Sequence, residues 1–233
     1  MSGMTDRLRV AWPDPALFVR RGGRPLRLLA VSDEPDATLE SAAVRASLEP
    51  IDLIVGCGDL RADYLTFVAD AFHSVPLLYV RGNHDTGEAW AAGQRTTLPE
   101  PMPDGSVRLE AGLAILAFSG SPVYNRPSAV QISPLRMWLR VLRGWFASVR
   151  HRPLLVISHA PPRGLNDAPD VTHRGFRALR WLADVLRPTL WLHGHTALVR
   201  RGLDSRSLRH GATLLYNCTG ATLVELVPPG SEP

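Results

Sequence analysis

The stretch Leu77-Leu78-Tyr79-Val80-Arg81-Gly82-Asn83-His84-Asp85 carries the reading of the whole chain. Four apolar residues make a short strand buried on both faces, and a glycine then turns the chain into polar side chains suited to metal and proton chemistry. The same design recurs on either side. Upstream, residues 26–31 run into Ser32-Asp33 and residues 51–55 into Gly56-Cys57-Gly58-Asp59. Downstream, residues 154–157 run into Ser158-His159 and residues 189–192 into His193-Gly194-His195. Residues 37–48 and 62–72 are long enough for crossover helices, so the chain starts as βαβαβ with parallel strands, an α/β class. In open α/β sheets ligands collect at the carboxyl ends of strands, so these distant residues can share one site.

The chain has 233 residues, 45% of them hydrophobic, enough for one large domain or at most two small ones. All 26 basic residues are arginine, which excludes Schiff-base and lysine-nucleophile chemistry. Two cysteines, Cys57 and Cys218, are too few for a disulfide framework, and both read as reduced. No apolar run approaches the roughly 18 residues of a spanning helix. The first residues lack the apolar stretch of a secretory signal, so a cytoplasmic protein is expected. Charge is uneven: residues 1–132 hold 12 arginines against 16 carboxylates, a net of −4, while residues 133–233 hold 14 against 6, a net of +8. The basic half favours an anionic substrate, a phosphorylated small molecule or nucleotide; nucleic acid stays open as a partner without a motif to support it. Oligomeric state is not readable.

Residues 1–25 read as an N-terminal arm ahead of a domain at 26–233. Residues 94–110, rich in proline, read as a loop. Residues 213–216 and 221–227, joined by Asn217-Cys218-Thr219-Gly220, read as a hairpin. Ser133 and Pro134 open a helix whose apolar residues Leu135, Trp138, Leu139, Leu142, Trp145, Phe146 and Val149 recur at helical spacing, with Arg136, Arg140, Arg143 and Arg150 opposite. A helix covering a sheet fits this pattern best, with a membrane-lying or nucleic-acid-binding helix as the alternative.

The strand ends combine two aspartates, an asparagine and histidines, a mixed oxygen and imidazole set that suits Mn, Fe, Zn or Ni better than Ca. Their order and spacing resemble the calcineurin-like metallophosphoesterase superfamily, with Gly82-Asn83-His84-Asp85 as the most specific element. The resemblance covers residues 26 to 227 and implies two facing mixed β-sheets flanked by helices, a four-layer α-β-β-α sandwich. It implies metal-dependent hydrolysis of phosphomonoester or phosphodiester bonds with one or two divalent ions per chain, Mn first and Fe, Zn, Ni or Mg as alternatives. Asp59 would bridge two ions. Asn83, His159 and His195 would complete the second site, and Asp33 would belong to the first. His84 would act as general acid on the leaving oxygen or stabilise the transferring phosphoryl group, oriented by Asp85. Asn217 resembles the family's asparagine turn after the last histidine motif.

Two departures touch one site only. The family's Asp-x-His is here Asp33-Glu34-Pro35, and its Gly-His-x-His is here Gly194-His195-Thr196-Ala197. Both missing histidines would serve the first ion, which is left with Asp33 and the shared Asp59. Glu34 and Asp36 are the nearest residues that can rebuild it. A single-metal enzyme, a non-catalytic binding or scaffold domain, and a nuclease are the remaining alternatives. Residues 159–167 resemble a His-x-Pro-Pro-x-Gly-x-x-Asp loop of one branch of the superfamily. There Arg163, Asp167 and His173 are candidates for substrate or metal contact, against a reading in which Asp170 or Thr172 caps a helix and His173 lies in its first turn. Arg81 is a candidate for a phosphate oxygen or an ion pair. His193 reads as a core residue or secondary ligand.

Overall fold

The apolar runs become the central strands of two sheets in the computed structural model, which describes residues 5–125, 128–196 and 206–231. Strand β1 (Asp6–Ala11) and helix α1 (Pro15–Val19) lead into β2 (Leu26–Ser32). Helix α2 (Ala42–Leu48), β3 (Leu53–Gly56), α3 (Ala62–Ala71) and β4 (Leu77–Tyr79) follow. β2, β3 and β4 are parallel neighbours, as the βαβαβ reading requires. Next come α4 (Glu88–Thr97), β5 (Val107–Glu110), β6 (Leu113–Phe118), β7 (Ser121–Pro122), β8 (Gln131–Ile132) and α5 (Pro134–Ser148). The chain continues through β9 (Leu154–Ser158), α6 (Arg177–Leu186), β10 (Leu190–His193), β11 (Ser207–His210), β12 (Thr213–Asn217) and β13 (Gly220–Val227).

One sheet has the order β1-β13-β2-β3-β4 and the other β11-β12-β10-β9-β6-β5. Leu28, Ala30 and Val55 of the first pack against Ile115, Ile157 and Leu192 of the second, forming the central core. The alternate residues of the same strands face outward: Leu29 and Ile54 meet α2 and α3, and Leu116 and Val156 meet α5 and α6. Strands apolar on both faces are what a sheet covered on both sides demands, and the result is the expected four-layer α-β-β-α sandwich.

Several local expectations are corrected. Residues 6–11, expected in an arm, form β1, which pairs in parallel with β13 at the edge of the first sheet. Residues 37–48 are not one helix, because Asp36 caps a 3-10 turn over 37–40 and Ser41 restarts the chain as α2. Of the expected loop 94–110, residues 94–97 end α4 and 107–110 form β5, paired with β6; the prolines keep only the middle irregular. The expected hairpin of 213–216 and 221–227 does not form: β12 lies between β10 and β11 in one sheet, and β13 lies between β1 and β2 in the other. Asn217 to Thr219 carry the chain across the sandwich. The hairpin partner of β12 is β11, joined through Gly211.

Helix α5 forms where expected, with the Ser133 hydroxyl accepting from the Arg136 N–H at 3.5 Å. It covers the sheet with Met137, Val141, Gly144 and Ser148, however, and of the apolar series expected to be buried only Trp138 and Trp145 pack against the core, half-buried. Leu135, Leu139 and Phe146 are 71%, 61% and 70% exposed.

Candidate metal centre

The strand ends turn sharply into a shared cleft of about 630 Å³. Asp33, Asp59 and His195 each adopt left-handed backbone, with φ of 59°, 57° and 68°, so the chain folds back at each strand end and presents the side chain to the cleft. Glycines allow the close approach. A side chain on Gly82 would run into the Asp59 carboxylate, and one on Gly194 would run into Ser32 and Asp33.

Four side chains converge. His159 is fully buried at the end of β9, and its Nδ1 lies 2.9 Å from the Cys57 carbonyl, which can only accept, so Nδ1 carries the proton. Its Nε2 lies 2.9 Å from Asn83 Oδ1, 3.1 Å from His195 Nδ1 and 3.3 Å from Asp59 Oδ2. Tyr124 fixes the asparagine by accepting from its Nδ2 at 3.2 Å, which turns Oδ1 inward. The lone pair on neutral His159 thus meets two oxygens that have lone pairs of their own. Only a proton or a cation between them resolves this. Protonation is one answer: burial opposes the charge, but the Asp59 carboxylate draws His159 up to about 9. Burial likewise works against ionised Asp59, yet His159 and the His84 N–H hold it down to about 2. His195 is pushed well below its ordinary value by burial and by the neighbouring His159. A divalent cation is the other answer and engages all four side chains at once, so the donor set fits one. Asp59, His159 and His195 offer ligand atoms within 4.8 Å of one another.

The Asp33 side of the cleft is built differently. Both carboxylate oxygens accept from the His195 N–H at 3.0 Å, while Oδ2 also accepts from Ser32 Oγ at 2.6 Å and Thr219 Oγ1 at 3.4 Å. Burial raises this carboxyl above its ordinary value. Asp33 is therefore a staple between the end of β2 and the loop after β10. Glu34 lines the cleft; Asp36 does not, since its carboxylate caps Thr38 at 2.9 Å. Ala197 lies outside the described residues.

The other sequence candidates divide in the same way. His84 sits at the mouth with its side chain 75% exposed, its N–H bonded to Asp59 Oδ1 at 2.7 Å and its Nε2 3.9 Å from Asp59 Oδ2. Asp85 does not orient the His84 ring; its Oδ2 accepts from the Asp59 and Gly82 N–H groups at 3.0 and 2.7 Å, and burial pushes it up to about 6. Arg81 reaches no ligand position, because its guanidinium bonds the Asp85 carbonyl and stacks on Trp90 at 4.7 Å. Asp167 closes its own loop on Gly164 and Gly175, both at 3.0 Å. His173 does line the cleft. Asp170 holds its Nδ1 at 2.7 Å in a turn ahead of α6, which leaves Nε2 for a ligand and replaces the expected helix-capping role. Asn217 is a positioning residue, donating to the Thr196 carbonyl at 2.7 Å and accepting from Thr219. His193 is buried and lies 3.2 Å from the Asn166 amide. Tyr124, Thr172 and Thr219 also line the cleft. Sequence reasoning gave none of them a place in the cleft, although Thr172 stands beside His173, where it was read as a helix cap, and Thr219 lies two residues past Asn217.

Two facing sheets that pool aspartate, asparagine and histidine at their strand ends define the metallophosphoesterase class of fold. The chain belongs to the calcineurin-like phosphoesterase family, whose model matches residues 36–198, a stretch that includes Asp59, Asn83, His84, His159 and His195 and leaves Asp33 outside. One solved structure shares the fold with a TM-score of 0.62 at 14% identity, over 84% of this chain and 91% of that one. TT1561 of Thermus thermophilus does so at 0.57 and 15%, over 84% and 90%. GAP50, the anchor in the inner membrane complex of Plasmodium, does so at 0.53 and 14%, over 84% and 72%. No curated protein matches the chain in sequence. Among the described residues no helix is long and apolar enough to cross a membrane.

Proposed function

We propose that the chain is a phosphoester hydrolase working with a single divalent cation held by Asp59, Asn83, His159 and His195. The observation that carries this reading is the convergence of those four side chains beside an Asp33 whose two oxygens share the His195 N–H and whose Oδ2 also accepts the Ser32 hydroxyl. The set of two imidazoles and two oxygens suits Mn, Fe or Zn. A cation bound there supplies charge for the phosphoryl oxygens and acidifies water.

The chain's own residues do the rest. Asp59 fixes the His84 backbone through its Oδ1, so the exposed imidazole overhangs the cleft, within reach of a leaving oxygen to which it hands a proton. His173, its Nδ1 held by Asp170, adds an imidazole to the lining of the cleft. Tyr124 holds Asn83 and adds a hydroxyl to the lining. The substrate is an anionic phosphoester small enough for a cleft of this volume.

A second reading rests on the Asp33 staple: with one half of the family's two-ion site closed, the cleft binds phosphoesters without turning them over. Elemental analysis after loading with Mn, together with an aryl phosphodiester assay, decides between them. About one ion per chain with hydrolysis that His84→Ala removes supports the single-metal enzyme. About one ion without hydrolysis supports the binding domain, and two ions mean that other residues rebuild the first site.

A further inference from the structure

Helix α5 has two apolar faces, and the fold uses one. Met137, Val141, Gly144 and Ser148 press on the sheet, while Leu135, Leu139, Leu142 and Phe146 form a ridge roughly 160° around the axis. That ridge is open: Leu135, Leu139 and Phe146 are among the most exposed large apolar side chains described. A contiguous row of this kind on a helix is a contact surface, unlike a scattered exposed leucine. On one flank Trp138 and Trp145 pack against Trp181 of α6, with ring centres 5.7 and 6.3 Å apart, which makes a rigid shoulder. On the other flank Arg136 and Arg143 lie seven residues apart in one row, and Arg150 follows just past the helix's C-cap at Val149. None of the three forms an ion pair among the described residues, whereas Arg140, nearer the sheet, pairs with Asp104 at 2.6 Å.

We propose that this face of α5 seats the protein on an anionic phospholipid bilayer, with the ridge in the headgroup and acyl boundary and the three arginines on lipid phosphates. Charge decides the occupant. Residues 134–150 contain no aspartate or glutamate, so a second copy meeting this face about a two-fold axis would bring arginine rows together with no acid on either helix to pair them. A lipid surface supplies both what the ridge needs and what the arginines need. A basic amphipathic helix lying flat takes this geometry, with tryptophan at the interface. The inference is independent of the hydrolase reading, since it uses no residue of the cleft.

Flotation of the full chain with vesicles tests it. Binding is expected to vesicles of phosphatidylcholine with phosphatidylglycerol and not to phosphatidylcholine alone, and to weaken as salt rises. Leu139→Asp with Phe146→Asp should lower partitioning by at least about ten-fold. Replacing Arg136, Arg143 and Arg150 by Gln should lower it about five-fold per arginine. Phe146→Ser alone serves where the double variant fails to fold, as monitored by thermal unfolding. Absence of binding to the anionic vesicles overturns the proposal. So does binding that both sets of variants leave intact, or a light-scattering dimer that Leu139→Asp with Phe146→Asp dissolves, since that assigns the ridge to a second copy.

Discussion

The two sides of the cleft are made from the same parts and behave differently. On one side, His159, Asn83, His195 and Asp59 point toward a common centre with too few protons to satisfy them. On the other, Asp33 sits at an equivalent strand end, but its oxygens accept from a backbone N–H and two hydroxyls. The lesson is that the donors around a carboxylate decide what it does. A carboxylate ringed by N–H and O–H groups is a structural clasp, and one facing other acceptors asks for a cation.

The contrast can be broken most severely on the convergent side. His159→Ala removes the buried imidazole, and a loss of about a thousand-fold in kcat/KM with metal content near zero is expected. Elemental analysis beside the aryl phosphodiester assay checks both. His84→Ala should cost about a hundred-fold in kcat while leaving bound metal unchanged, because the ring overhangs the cleft and the retained backbone N–H still holds Asp59. Metal lost along with activity would instead make His84 a ligand.

The smaller effects sharpen the contrast. Asp33→Asn should cost only about ten-fold in kcat and leave the ion count as it was, in the range of a residue that orients ligands. A drop from two ions to one would show that Asp33 holds metal after all. Pro35→His combined with Ala197→His restores the two family histidines, and the ion count is expected to stay at one while Asp33 remains clasped. A rise to two would show that histidine supply, and not the clasp, limits the first site.

Much of this was legible in the sequence because buried strands are written as apolar runs, and the polar residues that end them mark the sheet edge where ligands gather. That logic located Asp59, Asn83, His84, His159 and His195, and it located the helices between the early strands. It failed where a side chain's partners are its own neighbours. Asp36 and Asp167 have the right chemistry, but local turns use their oxygens to cap backbone N–H groups, and those turns depend on the folded loop. Arg81 was misread for the same reason, and Asp85 because its carboxylate is shared between the neighbouring Gly82 N–H and the distant Asp59 N–H. The segment after β12 resembled a hairpin turn because Asn217 and Gly220 are turn residues, yet the apolar patterns of β12 and β13 are those of any covered strand and carry no label for which sheet they join. β11 alternates polar and half-buried residues at an edge and had little apolar signal. In α5 the periodicity was real but ambiguous, since two apolar sectors were present and the longer one was read as the buried one. Tyr124 stands in a loop with no neighbouring motif.

The clasp between Asp33 and the His195 N–H joins residues 162 positions apart. Closing a loop of that length costs chain entropy before any contact rewards it, so the clasp forms only once both sheets already face each other. The pairing of β1 with β13, which joins Asp6 to Thr222, spans still more of the chain, so the cleft and the closure of the first sheet both depend on late, long-range contacts. Before β10 takes its place, Asp33, Asp59 and Asn83 stand at the edge of one sheet with no facing strand to complete the candidate centre.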